Sequence, residues 1–119
     1  MGKIIVADDA VFMRDLISEI VVSAGHEAIN VCSGEELLSI YDDVMPDVVI
    51  MDVIMNGLNG IDTMVKILEK HPDAKFIICS AVANQSDFGS KALEKGAVDC
   101  ICKPFGFDDL VTKINKVLN

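Results

Sequence analysis

Five short apolar runs rich in β-branched residues recur along the chain, and segments with helical spacing separate them. They lie at Lys3 to Ala7, Glu27 to Cys32, Asp47 to Met51, Lys75 to Cys79 and Val98 to Cys102. Within three of them the apolar residues are continuous instead of alternating, which is typical of strands covered by helices on both faces. The pattern predicts an α/β fold, a doubly wound (βα)5 sandwich built on a parallel five-stranded sheet.

The segments between the apolar runs carry helix signals. The first has apolar residues three and four positions apart from Phe12 to Ala24, and Gly25 follows as a stop. Ser33 and Glu36 have the spacing of a capping box, which predicts the start of the second helix. The third, fourth and fifth helices are predicted near residues 61–71, 87–95 and 110–118.

Charge and hydropathy exclude several classes of protein. The chain has 119 residues, and nineteen acidic against ten basic side chains give a net charge of -9. A surface of this sign repels phosphate backbones and anionic lipids, so we expect no nucleic-acid partner. The apolar runs are far shorter than the ~20 residues that cross a bilayer, which predicts no membrane insertion. With no signal-peptide pattern and four cysteines in apolar stretches, we expect a cytoplasmic protein without disulfides.

Polar residues follow four of the predicted strands at the point where each strand ends, namely Asp8 and Asp9, Asp52, Ser80, and Lys103 with Pro104. In a doubly wound sheet, this carboxyl edge holds the functional crevice. If the first and third strands are neighbours, three carboxylates converge, and two unit charges ~4 Å apart repel by roughly 4 kcal/mol at a dielectric of about 20. Lys103 supplies one positive charge, and an oxygen-only ligand set favours Mg²⁺. We therefore expect Mg²⁺ as the cofactor.

A carboxylate beside Mg²⁺, a lysine and a hydroxyl has the parts needed to accept a phosphoryl group. His26 and His71 lie beside predicted helix termini and not at these strand ends, and the chain has no glycine-rich phosphate loop. The chain therefore lacks the catalytic groups that a hydrolase or a kinase needs. Asp9 alone would fit a helix N-cap as well as a ligand, and its combination with Asp8 and Asp52 favours the ligand.

Several motifs are spread over the whole chain, and they are Val6-Ala7-Asp8-Asp9-Ala10, Phe12-Met13-Arg14, Pro46-Asp47-Val48-Val49-Ile50-Met51-Asp52, Asn59-Gly60-Ile61-Asp62, Cys79-Ser80-Ala81, Gly96-Ala97 and Lys103-Pro104-Phe105. With these motifs the chain resembles the receiver domains of two-component response regulators, most closely the single-domain chemotaxis regulators of the CheY type. The resemblance implies a flavodoxin-like fold with sheet order 2-1-3-4-5, and one receiver domain over residues 1–119. Because the chain ends directly after the fifth helix, we expect no output domain.

The resemblance also implies roles for the acidic residues. Asp52 resembles the aspartate that is phosphorylated from the phosphohistidine of a sensor kinase. Asp9, Asp52 and the backbone carbonyl of Ile54 are implied as direct Mg²⁺ ligands. Asp8 is implied as a ligand that acts largely through a bound water.

Two further residues complete the implied switch. Ser80 resembles the hydroxyl that moves to bond the phosphoryl group, and Lys103 resembles the amine that pairs with it. This movement would shift an equilibrium on the face formed by the fourth helix, the fifth strand and the fifth helix. The resemblance implies a module that catalyses only its own phosphorylation and dephosphorylation, and not an enzyme with a separate substrate.

The expected partners follow from the same resemblance. We expect a CheA-type histidine kinase upstream, a motor switch or adaptor protein downstream, and a monomer that signals by protein contact in chemotaxis or motility control. The alternative is a phosphorelay shuttle, which passes the phosphoryl group to another histidine protein. Only the partner surface distinguishes these two functions.

Three other classes share parts of this pattern. A flavodoxin-like cofactor binder needs a hydroxyl- and glycine-rich anion cradle where this chain has Asp8 and Asp9. A phosphatase of the haloacid dehalogenase type places a second aspartate two residues after the nucleophile, but Ile54 stands at that distance from Asp52. A receiver that is not phosphorylated would be expected to have lost an acidic residue or Lys103.

Overall fold

The computed structural model describes residues 2–55, 58–80, 91–103 and 105–118. Its strands are β1 (Lys3–Ala7), β2 (Glu27–Val31), β3 (Val48–Met51), β4 (Ile54–Met55), β5 (Leu58–Asn59), β6 (Phe76–Ser80) and β7 (Asp99–Cys102). Its helices are α1 (Val11–Ser23), α2 (Gly34–Val44), α3 (Gly60–Lys70), α4 (residues 91–94) and α5 (Phe107–Leu118). Within these ranges, no helix has the length and apolar character needed to cross a membrane.

The main sheet has five parallel strands in the order β2-β1-β3-β6-β7. Counted along this sheet alone, the order is 2-1-3-4-5, so the predicted doubly wound architecture is confirmed. The register places Ala7 opposite Met51 and Ser80 opposite Cys102, which aligns the carboxyl ends of neighbouring strands. A second, antiparallel pair, β4 and β5, was not predicted from the sequence.

The core lies in two layers, one on each face of the sheet. Ile5, Val49 and Ile78 pack into one layer with α2, α3 and Ala92 of α4. The neighbouring residues along the same strands pack into the other layer with α1 and α5. Because both faces of the strands are buried, the central runs are continuously apolar, as the sequence predicted.

Helix boundaries agree with the sequence to within a few residues. At the start of α2, the Ser33 side chain accepts a 3.1 Å hydrogen bond from the Glu36 backbone, which confirms the predicted cap. The Glu36 carboxylate accepts from the backbone of Cys32, one residue before the cap. The N-cap of α1 is Ala10 and not Asp9, so the N-cap alternative for Asp9 is wrong. The predicted fourth helix is seen at 91–94, and its positions 87–90 lie outside the described residues.

Candidate functional site

The carboxyl edge of the sheet gathers the residues singled out from the sequence. Asp8 follows β1 and Asp52 follows β3, and both backbones continue the hydrogen bonding of the sheet. The Asp8 N–H donates to the Val31 carbonyl at 3.2 Å, and the Asp52 N–H donates to the Ala7 carbonyl at 3.0 Å. The two aspartates are therefore held by the sheet itself, directly after buried strands.

Three carboxylates meet at this edge. One ligand oxygen from each of Asp8, Asp9 and Asp52 lies within 4.8 Å of the others. The Asp8 side chain is 1% exposed and that of Asp52 is 15% exposed, so bulk water screens their repulsion poorly. Such a cluster needs positive charge close by.

Lys103 supplies part of that charge. Its Nζ donates to Asp8 Oδ2 at 2.9 Å and to Asp52 Oδ2 at 3.2 Å, while its side chain is only 14% exposed. Burial acts to lower the pKa of Lys103, but the hydrogen bond to Asp8 and the charges of Asp52 and Asp8 outweigh it, so the pKa is raised. Lys103 therefore stays protonated at neutral pH and bridges the two carboxylates.

Both carboxylate oxygens of Asp8 accept hydrogen bonds from the protein. Its Oδ1 accepts from the Ala10 N–H at 2.9 Å, and its Oδ2 accepts from Lys103. Its backbone carbonyl accepts a 2.8 Å hydrogen bond from Nη1 of Arg14. Because both carboxylate oxygens already accept hydrogen bonds, this geometry favours an indirect contact between Asp8 and a cation, as a water would provide.

The donor set fits Mg²⁺. Three carboxylates offer hard oxygen ligands from one side, and one Lys103 ammonium does not balance three negative charges. Ile54, whose carbonyl is the remaining expected ligand, opens β4 two residues after Asp52. The Gly60 N–H donates to the Val53 carbonyl and anchors the loop there. A side chain at Gly60 would collide with the Asp52 carbonyl, so α3 can start this close to the site only with glycine.

Ser80 is the last residue of β6, and its pairing with Cys102 places its backbone at the same edge, one residue short of Lys103. The side chain of Ser80 and all of Pro104 lie outside the described part of the structure. Cys79, just before Ser80, has its side chain in the core, where burial raises the pKa of the thiol to about 12. The structure thus brings together Asp8, Asp9, Asp52 and Lys103 with the Ser80 backbone.

One contact was missed at the sequence level. Arg14 belongs to a motif that was recognised, but no role was assigned to it. The signal was its position in the first turn of α1, six residues after Asp8, from which a long side chain can reach back over the turn.

A parallel α/β sheet with an acidic cluster and a lysine at its carboxyl edge defines a small class of proteins. Residues 4–115 match the family described as the response regulator receiver domain. The chain belongs to this family, and it is the receiver domain of a two-component response regulator.

Within the family the chain is similar to chemotaxis regulators. It is 40% identical to chemotaxis protein CheY of Thermotoga maritima, and the match covers 98% of each chain. It is 37% identical to CheY of Bacillus subtilis, again over 98% of each chain. Among solved structures, the response regulator TrrA of Thermotoga maritima, in complex with Mg²⁺-BeF, superposes with a TM-score of 0.87 and 34% identity, covering 99% of this chain and 100% of that one.

Proposed function

We propose that Asp52 accepts a phosphoryl group from the phosphohistidine of a sensor histidine kinase, in a site where Asp8, Asp9, Asp52 and the Ile54 carbonyl hold Mg²⁺. The observation that carries this proposal is the convergence of three carboxylates within 4.8 Å, with Lys103 bonded to two of them. A structural salt bridge needs one carboxylate for each lysine. Three carboxylates around one lysine leave negative charge that a divalent cation can balance.

Asp52 is the better acceptor of the two carboxylates that Lys103 contacts. Asp8 is 1% exposed and both of its oxygens accept hydrogen bonds, whereas Asp52 is 15% exposed at the end of β3. In the transfer, an Asp52 oxygen forms the new bond to phosphorus while the bond from phosphorus to the donor's imidazole nitrogen breaks. An ionised carboxylate needs no general base for this attack.

Lys103 and the bound cation would share the charge of the transferred group. Mg²⁺ supplies electrostatic stabilisation of the phosphoryl oxygens when it is bound. Lys103, already aimed at Asp52 Oδ2 from 3.2 Å, is placed to donate to a phosphoryl oxygen after transfer. The Ser80 hydroxyl, at the end of β6, would then donate a hydrogen bond to the same phosphoryl group. This new contact would shift the conformational equilibrium of the face formed by α4, β7 and α5.

The pathway that we propose is chemotaxis or motility control. Supporting it is the similarity to two CheY proteins, whose lengths the chain matches over 98%. On this proposal residues 1–119 act as one receiver domain. A CheA-type histidine kinase supplies the phosphoryl group, and a motor switch or adaptor protein reads the phosphorylated form by contact.

The test is phosphorylation with acetyl phosphate, followed by intact mass spectrometry. We expect one phosphate adduct in the presence of Mg²⁺, none in EDTA and none in the variant Asp52→Asn. The matched control is Asp43→Asn, an exposed carboxylate on α2, which should be phosphorylated as the unchanged protein is. An adduct that persists in Asp52→Asn would contradict the proposal.

Partner exchange tests the pathway. The phosphorylated protein is incubated separately with a histidine phosphotransfer protein and with a motor-switch protein. Binding to the switch protein that depends on phosphorylation supports chemotaxis, whereas rapid loss of the label to the histidine protein without switch binding points to a phosphorelay shuttle.

A further inference from the structure

Arg14 is the single arginine of the sequence, and it lies in the first turn of α1. Its Nη1 donates a 2.8 Å hydrogen bond to the backbone carbonyl of Asp8, across the turn that joins β1 to α1. Its own N–H donates to the Ala10 carbonyl at 2.9 Å, as the helix requires. One residue therefore connects the body of α1 to the end of β1.

The start of α1 has no side-chain cap at its N-cap position. The N-cap, Ala10, has no side chain that can accept a hydrogen bond, and the first turn of α1 contains no acidic residue. The conformation after β1 is instead held at Asp8, whose Oδ1 accepts from the Ala10 N–H and whose carbonyl accepts from Arg14. The direction in which Asp8 and Asp9 point depends on this conformation.

We propose that Arg14 is a positioning residue for the cation site: its hydrogen bond to the Asp8 carbonyl fixes the turn so that the carboxylates of Asp8 and Asp9 face Asp52. This inference rests on the proposed function for the presence of a divalent cation at the three carboxylates. The Arg14 guanidinium acts through the backbone of Asp8 and does not touch the reacting atoms.

The charge of Arg14 and its hydrogen bond have opposite effects on cation binding. A positive charge near three carboxylates repels an incoming cation, so removing that charge alone would strengthen Mg²⁺ binding. Removing a contact that orients the ligands would weaken Mg²⁺ binding instead. The sign of the change in affinity therefore separates a positioning role from a purely electrostatic one.

The experiment is a calorimetric titration of the full chain with Mg²⁺ at constant ionic strength. Arg14→Met removes the donor and the charge, and we expect it to weaken Mg²⁺ binding about tenfold, as loss of a supporting contact around a metal site does. Arg14→Lys keeps a donor for this single-bond contact, so its affinity should stay within about twofold of the unchanged protein. Lys66→Met, which removes an exposed lysine on α3, is the control for net charge and should bind as the unchanged protein does.

A second measurement uses the metal-free protein. The Ala10 amide, which donates to Asp8 Oδ1, should exchange its hydrogen faster in Arg14→Met than in Lys66→Met, because the turn is loosened. Unchanged or tighter Mg²⁺ binding in Arg14→Met would overturn the inference, and so would equal weakening in Arg14→Lys.

The two proposals fail separately. If the unchanged protein binds Mg²⁺ and Arg14→Met weakens that binding, but Asp52 takes no phosphate, the proposed function falls and the role of Arg14 stands. If phosphorylation of Asp52 occurs as proposed and Arg14→Met keeps its Mg²⁺ affinity, the role of Arg14 falls and the function stands.

Discussion

Lys103 Nζ lies 2.9 Å from Asp8 Oδ2, although 95 residues separate the two along the chain. The contact joins the loop after β7, at one edge of the sheet, to the loop after β1. Between them lies Asp52, which the same ammonium group contacts at 3.2 Å. Lys103 is thus a link between distant parts of the fold as well as a member of the site.

Replacing Lys103 should destabilise the metal-free protein. Lys103→Met leaves the carboxylates of Asp8 and Asp52 without their shared cation, and we expect a loss of about 3 kcal/mol in the free energy of unfolding. Urea unfolding followed by circular dichroism in EDTA measures this loss, which should shrink in saturating Mg²⁺. Lys66→Met is the control, and equal stability of the two variants in EDTA would refute the expectation.

Neutralising Asp9 should have the opposite effect. Asp9→Asn removes one of three mutually repelling charges, so the metal-free protein should gain about 1 kcal/mol in unfolding free energy. The same change removes a proposed ligand, and addition of Mg²⁺ should then stabilise the variant less than it stabilises the unchanged protein. Asp43→Asn, on the exposed face of α2, should alter neither quantity. A destabilised Asp9→Asn variant in EDTA would show that repulsion is not the main effect.

The α2–α3 contact should show an acid-dependent contribution to stability. Asp42 accepts a 2.5 Å hydrogen bond from Lys70 and lies 2.7 Å from His71 Nε2, and these contacts lower the pKa of Asp42 below its ordinary 3.8. A lowered pKa in the folded state stabilises the fold above the ordinary pKa, and this stabilisation is lost as the pH falls through the folded-state pKa.

Asp42→Asn should therefore be less stable than the unchanged protein at neutral pH, and the difference should shrink as the pH falls below the ordinary pKa of 3.8 and through the lowered folded-state pKa. Urea unfolding at a series of pH values measures it. If the difference in unfolding free energy between the two proteins is independent of pH, the carboxylate charge of Asp42 does not contribute to the stability of the fold.

The Cys79 thiol should be unreactive in the native state. Burial raises its pKa to about 12, so at pH 8 only about one thiol in ten thousand is a thiolate. Exposed Cys32 should be alkylated by iodoacetamide first, and Cys79 only as the protein unfolds. Peptide mass spectrometry in the absence and presence of urea measures both rates. Equal modification of the two cysteines in the native protein would contradict the prediction.

The fold was predictable because the buried strands carry a strong signal. Strand β3 is apolar at all four positions, which only a doubly covered strand requires, and this places Asp8, Asp9, Asp52 and Lys103 at the carboxyl edge of the sheet. The strand order that brings the three carboxylates together was implied only by the resemblance to receiver domains. The antiparallel pairing of β4 with β5 could not be predicted, because two-residue strands are too short to show an alternating pattern.

The contact between Arg14 and Asp8 was missed for a different reason. A bond from a side chain to a backbone carbonyl leaves no trace in hydropathy or in paired charges, because any residue offers the carbonyl. The hydrogen bond of the Glu36 side chain was also only partly predictable. The spacing from Ser33 identified Glu36 as a capping residue, but its carboxylate accepts from the N–H of Cys32 and not from that of the N-cap, Ser33, as in a capping box.

Val49 and Ile50 are adjacent in β3, yet their side chains enter different core layers. A change in side-chain volume at Val49 alters the packing against α2 and α3, whereas the same change at Ile50 alters the packing against α1 and α5. The sheet therefore works as a partition, and mutations that repack one layer of helices need no compensating change in the other.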